Sequence, residues 1–186
     1  RSFENKTLEG EKIRKHIVEA GENLKGVGNS LWKDLDDYVL ANNIPSVSAN
    51  NARVSITDII QNYTPKTRGQ PNLDKNIVLA RVKEYDPESF DLLKGLLTPG
   101  KAAPTVPFSE MHKLQTAVGK AVSRAEKDAG APGASLEDRQ AKTQLKRLYG
   151  SLMSDVDAWG TKNPTAQEMY GQAKGFWRDV VVPGAI

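Results

Sequence analysis

The sequence contains no cysteine in its 186 residues. Disulfides, thiolate metal sites and thiol nucleophiles are therefore excluded. Histidine is nearly as scarce, with only His16 and His112. They lie too far apart to share the single helical turn on which paired imidazoles grip zinc. Aromatic residues make up 6% and hydrophobic residues 38% of the chain. So lean a supply fits elongated helices, or apolar faces completed by a partner, better than one large core. No apolar run approaches the ~18 residues of a membrane-spanning helix. No segment is a basic block either: the net charge is +3, and acids and bases alternate as on solvated helix faces. A reader of specific DNA sequence needs a basic stripe, which is missing here. The chain opens on Arg1 without a Met, a charged leader or an apolar leader core, so an excerpt or processed product of a longer polypeptide is expected.

What is present is helical periodicity. Ile13, Ile17, Ala20, Leu24, Val27 and Leu31 recur at spacings of 4, 3, 4, 3 and 4, the rhythm of a helix with one narrow apolar stripe. One long helix is expected from about residue 5 to about residue 42, ended by Asn42, Asn43 and Pro45. Gly21, Gly26 and Gly28 each cost it roughly 1 kcal/mol relative to Ala, and a break is most plausible at Gly26 to Gly28. Residues 44–107 read as an irregular middle, rich in proline (Pro45, Pro65, Pro71, Pro87, Pro99 and Pro104). Within it, Ser55 and Asp58 suggest a capping box for a short helix over 57–62. Residues 64–71 read as a loop, and 74–85 lean to helix. Asp86-Pro87-Glu88 is a strong helix entry; Thr98-Pro99-Gly100 stops that helix, and a connector follows to Pro107.

Residues 108–186 read as an antiparallel three-helix unit, which the first helix could join, with short turns between long helices. The first helix runs from Pro107-Phe108-Ser109 to about Asp128 on Met111, Leu114, Val118, Ala121 and Ala125. A Ser135/Asp138 capping box starts the second, which buries Ala141, Leu145, Leu148, Leu152, Val156 and Trp159 before Gly160. Asn163-Pro164 starts the third, with Ala166, Met169 or Tyr170, Ala173, Trp177 and Val180 inward, up to Val182-Pro183-Gly184. The fold class expected is all-α: a long-helix bundle in three segments, 1–43, 44–107 and 108–186. No fixed-period repeat occurs.

The chemistry-bearing patterns are weak throughout. Asp34-x-Asp36-Asp37 lacks the glycine and distal glutamate of a calcium loop. No serine sits in a nucleophile elbow. Gly26-Val27-Gly28 lacks the third glycine of a dinucleotide fingerprint. Glu110, Glu126, Glu137 and Glu168 are carboxylates on predicted helices, read as surface acids rather than a glycosidase pair. No catalytic, metal or cofactor residue is expected. Two surfaces remain. Leu24, Val27, Leu31 and Trp32 form a candidate partner contact, with Trp32 at the stripe edge. Arg139, Lys142, Lys146 and Arg147 lie close enough in helical phase to share a face and form a candidate nucleic-acid contact, weak and salt-dependent.

The order of segments carries a resemblance. A long charged helix leads into Leu31-Trp32-Lys33-Asp34-Leu35. A helix start at Val106-Pro107-Phe108-Ser109-Glu110-Met111 is followed by Leu148-Tyr149-Gly150-Ser151-Leu152-Met153-Ser154-Asp155, then by Tyr170-Gly171-Gln172-Ala173-Lys174-Gly175-Phe176-Trp177. This series resembles a helical region of the large internal virion, or DNA-ejection, proteins of tailed bacteriophages, most clearly over 106–178. The resemblance implies a place in the virion and, after ejection, in the host envelope. It further implies assembly with sister copies or with portal and tail proteins, and a part in genome delivery. It implies no catalytic residue in this region.

Overall fold

The computed structural model describes residues 3–97 and 104–182, with side chains from residue 8. The expected stops at Thr98-Pro99-Gly100 and Pro183-Gly184, and residues 100–103 of the connector, lie outside the described residues. The fold is all-α, with seven α-helices and four two-residue strands among the described residues. It comprises two compact units: residues 1–44 with 163–186, and residues 45–162. That division differs from the three segments expected. The last helix of the supposed C-terminal trio packs on the long N-terminal helix instead, because its buried face finds its complement there.

The first unit is an antiparallel helix pair. α1 (Phe3–Ala41) is one unbroken helix, so the glycines at 26 and 28 do not interrupt it. Asn43 ends it in the left-handed region (φ 51°). Ile44 N–H donates to Val39 O at 3.0 Å and Asn43 N–H to Leu40 O at 3.3 Å, the paired bonds by which a helix C-terminus closes. α7 (Pro164–Phe176) starts with proline at its first turn and continues into a π-helical turn, Trp177–Val181. Its Tyr170 meets Trp32 and its Trp177 meets Gly28, so the two helices run antiparallel. The wider π turn moves the inward register by one residue. Val181 is buried and Val180 exposed, the reverse of the expectation from uniform 3.6-residue spacing.

The second unit is built on α6 (Leu136–Lys162). α5 (Phe108–Gly130) lies antiparallel to it: Phe108 stacks on Trp159 at 4.7 Å, Gln115 Nε2 reaches Met153 Sδ, and Lys146 pairs with Glu126. Every inward residue expected on these two helices is buried. Ser135 and Asp138 cap α6 reciprocally, each backbone N–H donating to the other's side chain at 3.0 Å. Helix α6 runs past Gly160, which is buried and needs no stop.

α2 (Asn50–Tyr63) packs antiparallel on the far side of α6. It is much longer than the expected 57–62, and the Ser55/Asp58 capping box does not form. Ser55 instead meets Ser151 across the interface, and Asp58 pairs with Arg147 at 2.7 Å. The true start is set by Asp155 of α6, whose carboxylate accepts from the backbone N–H of Asn51 (3.0 Å) and Ala52 (2.9 Å). The chain thus reaches across 103 residues for the cap that local sequence usually supplies.

The middle is more ordered than expected. Antiparallel β1 (Val47–Ser48) and β4 (Thr105–Val106) pair Val47 with Val106. β2 (Lys66–Thr67) and β3 (Gln70–Pro71) make a hairpin inside the expected loop, turned at Arg68 and Gly69, both at positive φ. Residues 74–85 split into a 3-10 turn, Leu73–Lys75, and α3 (Leu79–Tyr85). The division falls at Asn76, fully buried and bonded through both ends of its amide. Its Nδ2 donates to Ile59 O and Thr64 Oγ1, and its Oδ1 accepts from Val78 and Leu79 N–H. α4 (Pro87–Gly95) starts as expected, with Asp86 accepting from Glu88 N–H and from the Ser89 hydroxyl. Arg81 of α3 bridges Asp128 and Asp138, both at 2.9 Å, joining the end of α5 to the start of α6.

Asp155→Ala leaves the two donors at the start of α2 without their acceptor. Urea unfolding is expected to show a loss of about 1–3 kcal/mol, and Asp155→Asn, which keeps one acceptor, a smaller one. His112 generates a second prediction. Burial pushes its imidazole down to about 4 from 6.5, so the folded chain refuses a proton that the unfolded chain takes up. Stability is therefore complete above about pH 6.5 and falls as the pH drops toward 4, by a total on the order of 3 kcal/mol. Asp86 and Asp138 are held below their ordinary 3.8, chiefly by the Ser89 hydroxyl and the Ser135 N–H respectively, and add to the loss only below that window. Melting curves across this range are expected to flatten in His112→Gln.

Candidate interaction surface

The apolar stripe of α1 divides into two parts. From Gly21 onward it faces α7: Gly28 and Leu35 are buried, and Leu24, Leu31 and Trp32 are half-buried. Upstream, every side chain from residue 8 to residue 20 is exposed. Ile13 is 60% and Ile17 52% exposed, although the sequence places them on the same stripe. Over those 13 residues, about 20 Å of helix at 1.5 Å per residue, every described side chain stays exposed.

The expected partner contact is accordingly redistributed. Leu24, Leu31 and Trp32 contribute to the seam with α7, where the Trp32 ring meets Tyr170 edge-on at 5.7 Å. Trp32 is thus packed against its own chain rather than presented at the stripe edge. Val27 stays 49% exposed, because the buried seam follows positions 21, 24, 28, 31 and 35 and leaves 27 on its shoulder. Gly28 explains the path. A Cβ there would lie 2.5 Å from Trp177 Nε1, so only glycine admits the indole at this level. Its helical cost is offset by aromatic packing against the backbone.

On the acidic flank of α1, Asp34 and Asp37 are exposed and Asp36 is half-buried. Lys33 pairs with Asp37 at 2.8 Å, and that bond raises the Lys33 ammonium above its ordinary value. Burial and then Asp37 raise Asp36. His16 lies on the exposed segment near Glu19. In the second unit, burial raises the Asp155 carboxyl against the pull of its N–H donors.

The basic face expected on α6 is largely engaged in internal bonds. Arg147 holds Asp58, Lys146 holds Glu126 at 3.4 Å, and the Arg139 guanidinium donates to Ala134 O at 3.2 Å. Lys142 is half-buried. Arg147 also lines an open groove with Asn51 and Ser151, and three basic side chains of α5, Lys120, Arg124 and Lys127, line another beside Ser123 and Tyr85. Their spacing of 4 and 3 was legible as a shared helix face, but Asp128 tempers it by pairing with Arg124. Asp155 gave no local signal, because its partners are remote; Asn76 caps Val78 and Leu79 locally, but its donor side answers to Ile59 and Thr64.

No group of three or more His, Asp or Glu side chains that could hold a metal occurs among the described residues. No described helix is long and apolar enough to cross a membrane. No protein-family model matches the chain, nor does any curated protein or solved structure.

Gly28→Ala is expected to shift Trp177 and destabilise the first unit by about 1–3 kcal/mol. The readout is a change in tryptophan fluorescence with a lowered unfolding midpoint. Pairing it with Trp177→Leu should recover part of the loss, since the two positions are in contact.

Proposed function

We propose that the chain is a non-catalytic assembly module of a tailed-phage virion protein, an internal, ejection-type protein acting in genome delivery through helix contacts. The observation that carries the assembly reading is the stretch of α1 from residue 8 to residue 20, helical throughout and exposed throughout. An isolated helix of this length is marginal in water, and an apolar row left exposed on it is suited to another surface. The phage part rests on the series of residues between Leu31 and Trp177 described above. The partners proposed are sister copies and portal or tail proteins, with a place in the particle and then in the host envelope.

A second reading, weak contact with packaged nucleic acid, is favoured by one feature, the groove of Lys120, Arg124 and Lys127. Three cations give a shallow salt dependence and no sequence preference, which suits a supporting contact.

Ile13→Asp with Ile17→Asp tests the principal reading. Both side chains are exposed, so the unfolding curve is expected to stay within about 0.5 kcal/mol of the parent, while incorporation of the chain into assembled particles falls sharply. Normal incorporation of a normally folded double variant would sink the assembly role of α1.

A further inference from the structure

We infer that the groove on the outer face of α5 takes a single-stranded nucleic acid, its phosphates on Lys120, Arg124 and Lys127 and a base against the ring of Tyr85. The inference rests on the nucleic-acid reading above, and names the form of the ligand and the side chain that selects it. Lys120, Ser123, Arg124 and Lys127 follow one another at spacings of 3, 1 and 3, so they stay on one side of the helix. All four are exposed. From Lys120 to Lys127 the helix rises about 10 Å at 1.5 Å per residue, the reach of a short run of consecutive backbone phosphates. The space over them is about 560 Å³, room for nucleotide-sized groups.

The charge of this groove is not consumed by the chain itself. Lys120 and Lys127 meet no acid among the described residues. The one acid of the lining, Asp128, is already held by Arg81 at 2.9 Å and by Arg124 at 3.2 Å. Two guanidiniums share that carboxylate, so it does not cancel the lysines. Glu126, on the same helix, is turned to α6, where it holds Lys146 at 3.4 Å. Other grooves are balanced differently. The one beside Ser151 has a single cation, Arg147, and Asp58 occupies it at 2.7 Å. The one beside Val106 carries Glu88, Asp91 and Glu110 against Lys113, which Glu88 holds.

Cations alone would suit any polyanion, and Tyr85 narrows the choice. It closes α3, lines the same groove and is 41% exposed. An aromatic ring beside a row of cations offers stacking as well as charge, the combination that holds single strands without regard to sequence. A duplex hides the faces of its bases, so Tyr85 adds nothing to a duplex contact. An acidic peptide gains only from the cations. The single strand alone uses both halves of the site. With so few phosphates engaged, the contact is weak and sensitive to salt.

Fluorescence anisotropy of a labelled oligo-dT of about 12 nucleotides, titrated with the full chain, tests this. At low salt the single strand is expected to bind roughly tenfold more tightly than a duplex of the same length. Its affinity should fall with salt at a log–log slope of about −2, three phosphates at ~0.7 each. Lys120→Glu with Lys127→Glu is expected to abolish binding. The same charge change at exposed positions of α1, Lys12→Glu with Lys25→Glu, should have a much smaller effect. Tyr85→Ala is expected to lose roughly tenfold with the slope unchanged, and Tyr85→Phe to keep the affinity. Unchanged unfolding midpoints verify that each variant is folded. Equal loss in the two double variants puts the contact outside the groove and overturns the inference. Polyglutamate that displaces the strand as well as unlabelled oligo-dT does overturns it too, since the site is then a general polyanion site. Equal binding of single strand and duplex, with Tyr85→Ala silent, overturns the single-strand inference and leaves the nucleic-acid reading standing. No binding of either nucleic acid at low salt overturns both.

Discussion

The carboxylate of Asp155 sits where the first N–H groups of α2 would otherwise be buried without acceptors. It is 3% exposed and takes two of those bonds. A helix start buried against another element must find acceptors somewhere, and Ala49, which precedes α2, gives no side-chain bond there. The need fixes the pairing of α2 with α6 in a single register. Ser55 then reaches Ser151 and Asp58 reaches Arg147, each pair one helical turn beyond the last. The same register brings Trp159 to Pro45, where its indole N–H donates to the carbonyl at 2.7 Å. The opposite side of α6 is thereby left to α5, and the stacked Phe108 and Trp159 rings close that interface near the β1–β4 pair.

The first unit obeys a different constraint, a mismatch of length. α1 has 39 residues, whereas α7 has 13 before its π turn. A single antiparallel partner of that size covers only part of a helix three times its length. The apolar stripe does not stop where the cover stops, and this excess leaves Ile13 and Ile17 exposed. Where α7 does reach, the fit is close: Gly28 gives up a side chain so that Trp177 can lie against the backbone, and the π turn after it brings Val181 under cover in place of Val180.

The chemistry of the side chains points the same way as the geometry. Most basic groups of α6 are held by acids or carbonyls of neighbouring segments, and Arg81 is spent on joining α5 to α6. The histidine that is partly buried, His112, lies flat against Phe108 at 6.2 Å and is kept neutral by its surroundings. These polar groups serve the packing of the chain itself. Exposed apolar side chains are found where that packing ends, on the upstream part of α1.

The sequence by itself determined the all-α class, the existence of α1, α5, α6 and α7, and the buried rows of α5 and α6. Periodicity of 3.6 residues is a local property, and so are the caps at Asp86 and at Ser135 with Asp138, whose donors and acceptors lie within one turn of each other. Only the tertiary structure decided where α2 begins, because its cap is on another helix. It also decided that Asn76 breaks residues 74–85 in two, since that amide answers to carbonyl and hydroxyl groups brought in from α2 and the residue following it. The stripe of α1 shows the division most clearly. Its residues announce an apolar face from Ile13 to Leu31, but a periodic pattern carries no information about the length of the helix laid against it. Which part is core and which part stays exposed was settled by α7, in the packing rather than in the pattern.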